Sequence, residues 1–318
     1  MKCWIITEGM AGTENQCLGV AEALGVSAEV KRITLRQPWK SFSPWLGFEH
    51  AGIFEPALSP PWPDLVIASG RKSIATSRYI RKASNGKSFT VQIQDPRVSP
   101  AQFDLVALPA HDPTRGSNVI ITDASPNRIT AEKLASAREK FSAFGKLKSP
   151  RVAVLAGGDS KSHKLTASIT KNLAEQLKTL DAGLMVTTSR RTGEENTKIL
   201  RDGLLDPVLR RGYEEEDIFF WDGTGENPYF GMLAWADFIL VTEDSASMLS
   251  DAATTGKPVY VIALEGGSKR LDKLHENLRQ KGITRPFDGR LESWSYEPLR
   301  DSQKIADEIR LRMAGHRA

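Results

Sequence analysis

Cysteine is scarce: Cys3 and Cys17 are the two thiols in 318 residues. Two thiols cannot build a disulfide framework, so both read as small buried hydrophobes in a reducing compartment. Neither CxxC nor HExxH occurs, which removes the common zinc ligand sets, and no metal site is expected. GxSxG is absent, so a hydrolase nucleophile elbow has no support. GxGxxG and a Walker loop ending in Gly-Lys-Ser/Thr are absent too. No run approaches the ~18 apolar residues of a membrane helix. The apolar stretch in MKCWIITEGM is too short for a secretory signal, so a soluble, cytoplasmic protein is expected. Charge of one sign is also lacking. Lys plus Arg is 43 against 39 Asp plus Glu, a net +4, which is no nucleic-acid coat.

What is there is ordinary globular composition, 40% hydrophobic and 26% charged. The length suggests two domains. Short apolar runs alternate with helical periodicity: 4–6, 30–33, 65–68, 91–93, 105–108 and 119–121 in the first half. In the second half the runs are 152–155, 184–187, 218–221, 238–241 and 259–263. Solid apolar strands separated by helices indicate parallel sheets covered on both faces. The expected fold class is α/β, two Rossmann-like doubly wound parallel-sheet domains facing a cleft. The linker GKLKSP (145–150) separates an N-terminal domain, 1–147, from a C-terminal one, 148–318. The last helix, 301–313, either caps the second domain or packs back on the first. Thr13 and Gln16 have capping-box spacing for the first helix. Residues 36–62, rich in Pro, Trp and Ser, read as a long loop, and Trp39, Trp45 and Trp62 as its packing.

Ligands of open parallel sheets bind at the C-terminal strand ends, so those loops hold the candidates. Gly9 and Gly12 sit in TEGMAGTEN before a helix, whose N-terminus favours an anion. Gly157 and Gly158, in AGGDSKS, suit a phosphate. Ser189 and Arg190 or Arg191, in TTSRRT, offer a hydroxyl and forked cations. Asp222-Gly-Thr-Gly precedes a helix near Tyr229. In VTEDSASMLSDAATTGKPV, Asp244 or Ser245 caps a helix that Gly256 ends. Asp244, Ser245 and Ser247 would line the helix start for a phosphate, and Asp251, two turns on, would accept from a ribose hydroxyl. The bland alternative is that Asp244 only caps and Asp251 is a solvated acid. In the first half, Gln94 and Asp95 follow one strand, and His111 and Asp112 another. Asp95, His111 or Asp112 is the candidate general base. The basic run Arg71, Lys72, Arg78, Arg81, Lys82 and Lys87 is a solvated helix face or a contact for an anionic lipid carrier or membrane.

The run DSASMLSDAATTGKPV resembles the C-terminal-domain signature of GT-B glycosyltransferases, most of all the peptidoglycan UDP-N-acetylglucosamine transferases. In them an acid five residues before the helix-ending Gly binds the ribose. Asp251 holds that place relative to Gly256, where that family usually has the longer Glu. Along nearly the whole chain, PDLVIASGRKS (63–73), VQIQDPRV (91–98), FDLVALPAHD (103–112), SNVIITDASPNRI (117–129), RVAVLAGGDSK (151–161), TTSRRTG (187–193), GENPYFGMLAWADFILVTEDSASM (225–248) and TRPF (284–287) are similar to the mitochondrial-fission elongated-mitochondria family. That resemblance implies a GT-B-like protein. It implies a nucleotide or nucleotide-sugar ligand, such as a UDP-sugar, with no cofactor or metal required. The nucleotide would lie on Gly157, Gly158, Ser189, Arg190, Asp244, Ser245, Ser247 and Asp251, and an acceptor against Gly9, Gly12 and Gln94. The activity implied is a glycosyltransferase; the alternatives are a partner-recruiting scaffold and a nucleoside-diphosphate-sugar epimerase. Partners would be that ligand, an unidentified acceptor and a protein or peripheral membrane surface, with no nucleic acid.

Overall fold

The computed structural model describes residues 1–206 and 217–316. Along the chain, β1 (Cys3–Thr7) leads to α1 (Ala11–Leu24), then β2 (Ala28–Arg32) and β3 (Thr34–Leu35). A short α2 (Trp39–Phe42) precedes β4 (Phe54–Glu55), β5 (Leu65–Ser69), α3 (Ser73–Ala83), β6 (Phe89–Ile93), β7 (Leu105–Pro109) and β8 (Val119–Thr122). Then come α4 (Ala131–Lys140), β9 (Arg151–Ala156), β10 (His163–Lys164), α5 (Ala167–Lys178), β11 (Gly183–Thr188) and α6 (Gly193–Leu205). The remainder is β12 (Ile218–Trp221), α7 (Tyr229–Trp235), β13 (Phe238–Thr242), α8 (Ala246–Thr254), β14 (Val259–Ile262), β15 (Glu265–Gly266), α9 (Lys269–Gln280), β16 (Thr284–Pro286) and α10 (Asp301–His316).

Two compact units result: residues 1–128 with 300–318, and residues 129–299. Each holds one six-stranded sheet, ordered β2-β1-β5-β6-β7-β8 and β12-β11-β9-β13-β14-β16, with all pairings parallel. The solid apolar runs are the central strands. Every residue of β1, β5, β6, β7 and β13 is buried, because helices cover both faces. The edge strands β2, β8 and β12 are half-buried, as one side has no neighbour.

Residues 129–147, expected in the first domain, pack in the second unit. Arg138 of α4 donates to the Ala234 carbonyl at 3.3 Å, and Trp235 Nε1 donates to the Arg138 carbonyl at 2.9 Å. Phe144 meets Phe219 edge-on at 4.8 Å. α10 belongs to the first unit. Ile305, Ile309 and Met313 join the core of Val20, Ala21 and Cys17 of α1. The Asp301 carboxylate accepts from Asp123 N at 3.0 Å and Ala124 N at 2.9 Å.

The capping-box expectation fails. α1 begins at Ala11 with Met10 as an uncapped N-cap, which puts Thr13 and Gln16 inside the helix. Their side chains are drawn into tertiary bonds instead. Thr13 meets the Thr7 hydroxyl at 3.3 Å, and Gln16 Oε1 accepts from Ser69 and Gln94, both at 2.9 Å. The 36–62 segment is not one loop, since it holds α2, β4 and a 3₁₀ turn at Ala51–Ile53. Trp39 and Trp62 pack on the core as expected, but Trp45 faces solvent.

Candidate functional site

In the second sheet, β9 and β13 are neighbours, yet the chain leaves β9 toward β11 and leaves β13 toward β14. The strand order reverses between them, and ligands of doubly wound sheets bind at this point. The loops after β9, β11 and β13 therefore define the candidate site.

They form one hydrogen-bonded knot. Gly157 N donates to Thr242 Oγ1 at 2.7 Å, and Gly158 N to Asp244 Oδ2 at 3.2 Å. Asp159 N donates to the Arg191 carbonyl at 2.8 Å. Thr192 Oγ1 donates to the Ala156 carbonyl at 3.1 Å and to that of Gly157, and accepts from Ser189 N at 3.0 Å. Ser189 Oγ accepts from Arg191 N at 3.1 Å. Both glycines are sterically required. A Cβ on Gly157 would lie 2.3 Å from Asp244 Oδ1, and one on Gly158 would lie 2.1 Å from the Arg191 carbonyl oxygen.

Asp244 is the centre of the knot. Its side chain is 0% exposed and pairs with Arg191 Nη2 at 2.8 Å, while Oδ1 has no hydrogen-bond partner. Asp244 was expected to line the helix start; it turns inward and acts as an acceptor, because burial demands a cation and an N–H. Ser245 is the N-cap, accepting from Met248 N at 3.4 Å. The N–H groups of Ala246 and Ser247 have no acceptor one turn back, as at any helix start. Ser247 is half-buried, Ser189 is half-buried, and Arg190 is exposed.

Asp251 is not a solvated acid. Tyr229 Oη donates to its Oδ2 at 2.9 Å. Burial pushes the Asp251 carboxyl up to about 7, with the Tyr229 hydroxyl opposing. Burial and then the Asp251 charge raise Tyr229 well above the ordinary phenol value.

The first sheet reverses order between β1 and β5. There Glu8, after β1, accepts from Lys72 N at 3.1 Å and pairs with Lys72 Nζ at 3.2 Å. Gly70 turns with φ +95° and accepts from Ser73 Oγ at 2.7 Å. Sequence alone does not bring Glu8, Gly70 and Lys72 together, because only the strand order makes β5 the neighbour of β1. Gly9 has φ +87° and donates to Thr7 Oγ1 at 3.1 Å, whereas Gly12 lies inside α1. Gln94 has φ +72° and reaches Gln16. Asp95 Oδ1 accepts from Arg97 N at 2.9 Å and Thr114 Oγ1 at 2.8 Å. His111 Nε2 stands 3.9 Å from Asp112 Oδ1, with both side chains buried.

Half of the basic run is ion-paired within the unit. Lys72 pairs with Glu8, Arg78 with Glu49, and Arg81 with Asp104 at 3.0 Å. Among the described residues no group of three His, Cys, Asp or Glu side chains is arranged for a metal ion.

A sequence profile of the family described as Mitochondrial fission ELM1 matches residues 11–313. The chain belongs to this family. A relative of the same kind, Mitochondrial fission protein ELM1 of Arabidopsis thaliana, is 27% identical over 98% of this chain and 90% of its own length. Among solved structures, UDP-GlcNAc 2-epimerase from Methanocaldococcus jannaschii superposes with a TM-score of 0.56 at 13% identity, covering 99% of this chain and all of that one. UDP-GlcNAc 2-epimerase from Neisseria meningitidis, bound to UDP-GlcNAc, gives 0.50 at 13%, covering 98% of this chain and 100% of that one. The fold of this family member is therefore GT-B-like, with two doubly wound parallel sheets.

Proposed function

We propose that the second unit binds a nucleoside diphosphate-sugar at the reversal point of its sheet, and that the protein is a metal-independent enzyme of the glycosyltransferase type. The observation that carries the reading is the convergence of Gly157, Gly158, Ser189, Arg191, Asp244 and the α8 start at one strand-end cluster. The roles follow from chemistry. The free N–H groups of Ala246 and Ser247, with the Ser247 hydroxyl, would face the diphosphate, where the helix dipole favours negative charge. Arg190, exposed and next in sequence to Arg191, would supply the forked cation. Asp251, held by Tyr229, would accept from a ribose hydroxyl. Asp244 is assigned a holding role, since its carboxylate already takes Gly158 N and Arg191. The solved relative with UDP-GlcNAc bound supports a UDP-sugar as the first ligand to try. In the first unit, Asp95, His111 and Asp112 remain the proposed acid–base groups for an acceptor, with Gly9, Gly12 and Gln94 near it.

A thermal-shift panel tests the reading: UDP, GDP, CMP, TDP and ADP, each with and without its sugar. A ligand at ~100 times its Kd adds about 2.7 kcal/mol. One nucleotide raising Tm, with the rise lost in Arg190→Ala, is the expected result. A flat panel, with no heat of binding by calorimetry, overturns it. The second reading, a scaffold that recruits a protein partner, is favoured by one observation: Asp244 occupies the Gly158 N–H that a phosphate would otherwise take.

A further inference from the structure

The first unit carries an aromatic surface that none of the chemistry above uses. Phe42, Trp45 and Phe48 are 61%, 60% and 92% exposed. They recur at every third residue after Trp39. Trp39 itself turns inward, packs on the core and donates Nε1 to the Gly47 carbonyl at 2.9 Å. The segment is held in this form. Arg71 donates to the Ser43 carbonyl and, at 3.2 Å, to that of Ser41, while Ser43 Oγ donates to the Arg71 carbonyl at 3.3 Å. Phe48 sits at φ +60°, a backbone region that bulky side chains rarely adopt, with its ring in water.

Charge surrounds the aromatics with one sign. Lys40 is exposed, and among the described residues it has no ion pair. Arg71 stacks on Trp45 at 4.7 Å, and its bonds go to carbonyls, so its charge is not neutralised. The acid within the segment, Glu49, is tied up by Arg78. Arg36 and Glu55 are 3.9 Å apart and both solvated, so they cancel each other.

We propose that residues 39–48 form an interfacial anchor for an anionic phospholipid surface. Phe42, Trp45 and Phe48 would enter the headgroup–acyl boundary, with Lys40 and Arg71 against the phosphates. Trp and Phe beside cations are the composition that binds such interfaces. Area separates lipid from protein as the occupant. At these exposures three such side chains amount to roughly 450 Å². A stable protein interface needs about 800 Å² from each partner. A bilayer needs only a few inserted rings plus charge. Among the described residues no helix is long and apolar enough to cross a membrane, so attachment would be peripheral. The contact lies on the 39–48 segment and not on the α3 face, where Arg78 and Arg81 are paired. This inference does not depend on the nucleotide reading.

The experiment is co-sedimentation of the full chain with vesicles of phosphatidylcholine alone and of phosphatidylcholine with a third phosphatidylglycerol. The expected result is binding to the anionic vesicles, weakened by added salt. The Trp45→Ser/Phe48→Ser variant should partition about tenfold more weakly, and Lys40→Glu several-fold more weakly. Both variants change exposed side chains, so an unchanged Tm confirms that the fold is intact. Absence of sedimentation with the anionic vesicles overturns the proposal. So does undiminished binding of the double variant. A dimer seen by light scattering without lipid, and lost in the double variant, would assign the surface to a second copy of the chain and overturns it too.

Discussion

Arg191 Nη2 lies 2.8 Å from Asp244 Oδ2, joining the loop after β11 to the loop after β13 across the β9 loop. The Asp244 side chain is wholly buried, whereas Arg191 is 43% exposed, so the two ends of the pair are not equivalent.

Removing the cation strands a buried carboxylate, while removing the acid leaves a guanidinium that water can solvate. Arg191→Ala is therefore expected to lower stability by about 3 kcal/mol. The double change Arg191→Ala/Asp244→Ala should cost less than the sum of the singles, with a coupling of about 1–3 kcal/mol. Urea denaturation of the four proteins measures both. Additive singles would mean that the pair is not formed in solution.

Gly158→Ala places a Cβ 2.1 Å from the Arg191 carbonyl oxygen, which is backbone and cannot swing away. The expected loss is about 1–3 kcal/mol. Nucleotide-induced stabilisation should disappear with it. Gly47→Ala, where a Cβ meets nothing within 4 Å, is the control and should change stability by less than about 0.5 kcal/mol. Equal effects at the two positions would contradict the steric argument.

Asp251 gives a pH dependence of definite sign. Its folded-state pKa, about 7, lies above the ordinary 3.8, so the folded chain holds its proton longer than the unfolded one. That contribution to stability is fully present below the unfolded value. It declines as pH rises through the folded value, at up to about 1.4 kcal/mol per pH unit, and is flat above. Asp251→Asn keeps an acceptor for Tyr229 and removes the titration. The difference in stability between wild type and variant should therefore shift between pH 4 and 7 and level off above pH 7. A constant difference across that range would sink the assignment.

α10 is separated from its unit in sequence, yet Ile309 is fully buried against α1. Ile309→Ala should lower stability by about 2–5 kcal/mol through the cavity it leaves. Asp301→Ala should lower it by about 1–3 kcal/mol by freeing the half-buried N–H of residue 123 and the buried N–H of residue 124. In hydrogen exchange the added opening should appear in β1, β5 and α1, which share that core. Protection lost equally in β9 and β13 would show that α10 supports both units alike.

The central strands, the helices between them and the loops that carry Gly157, Ser189 and Asp244 were legible from local pattern, whereas α2, β4 and the edge strand β16 were not. Apolar runs bounded by Gly and Pro report burial directly, and the parallel α/β class follows from their alternation with helices. The helix start at Ser245 was legible as one of two caps, since Ser and Asp cap equally well. What Asp244 does was not legible, because its partners, Gly158 and Arg191, come from other strands. Thr13 and Gln16 were misleading for the same reason. Their capping spacing is local, but Thr7, Ser69 and Gln94 bind them in the folded chain.

The chain by itself therefore determined the class of fold, the two large parallel sheets and which loops stand at strand ends, because these depend on periodicity within a few residues. Tertiary structure alone decided that β1 lies beside β5 and β9 beside β13, that residues 129–147 leave the first unit and 301–316 return to it, and that Trp45 points outward while Trp39 points inward. Those outcomes are settled by packing between residues tens to hundreds of positions apart, where each buried polar group must find a partner and each apolar face a cover.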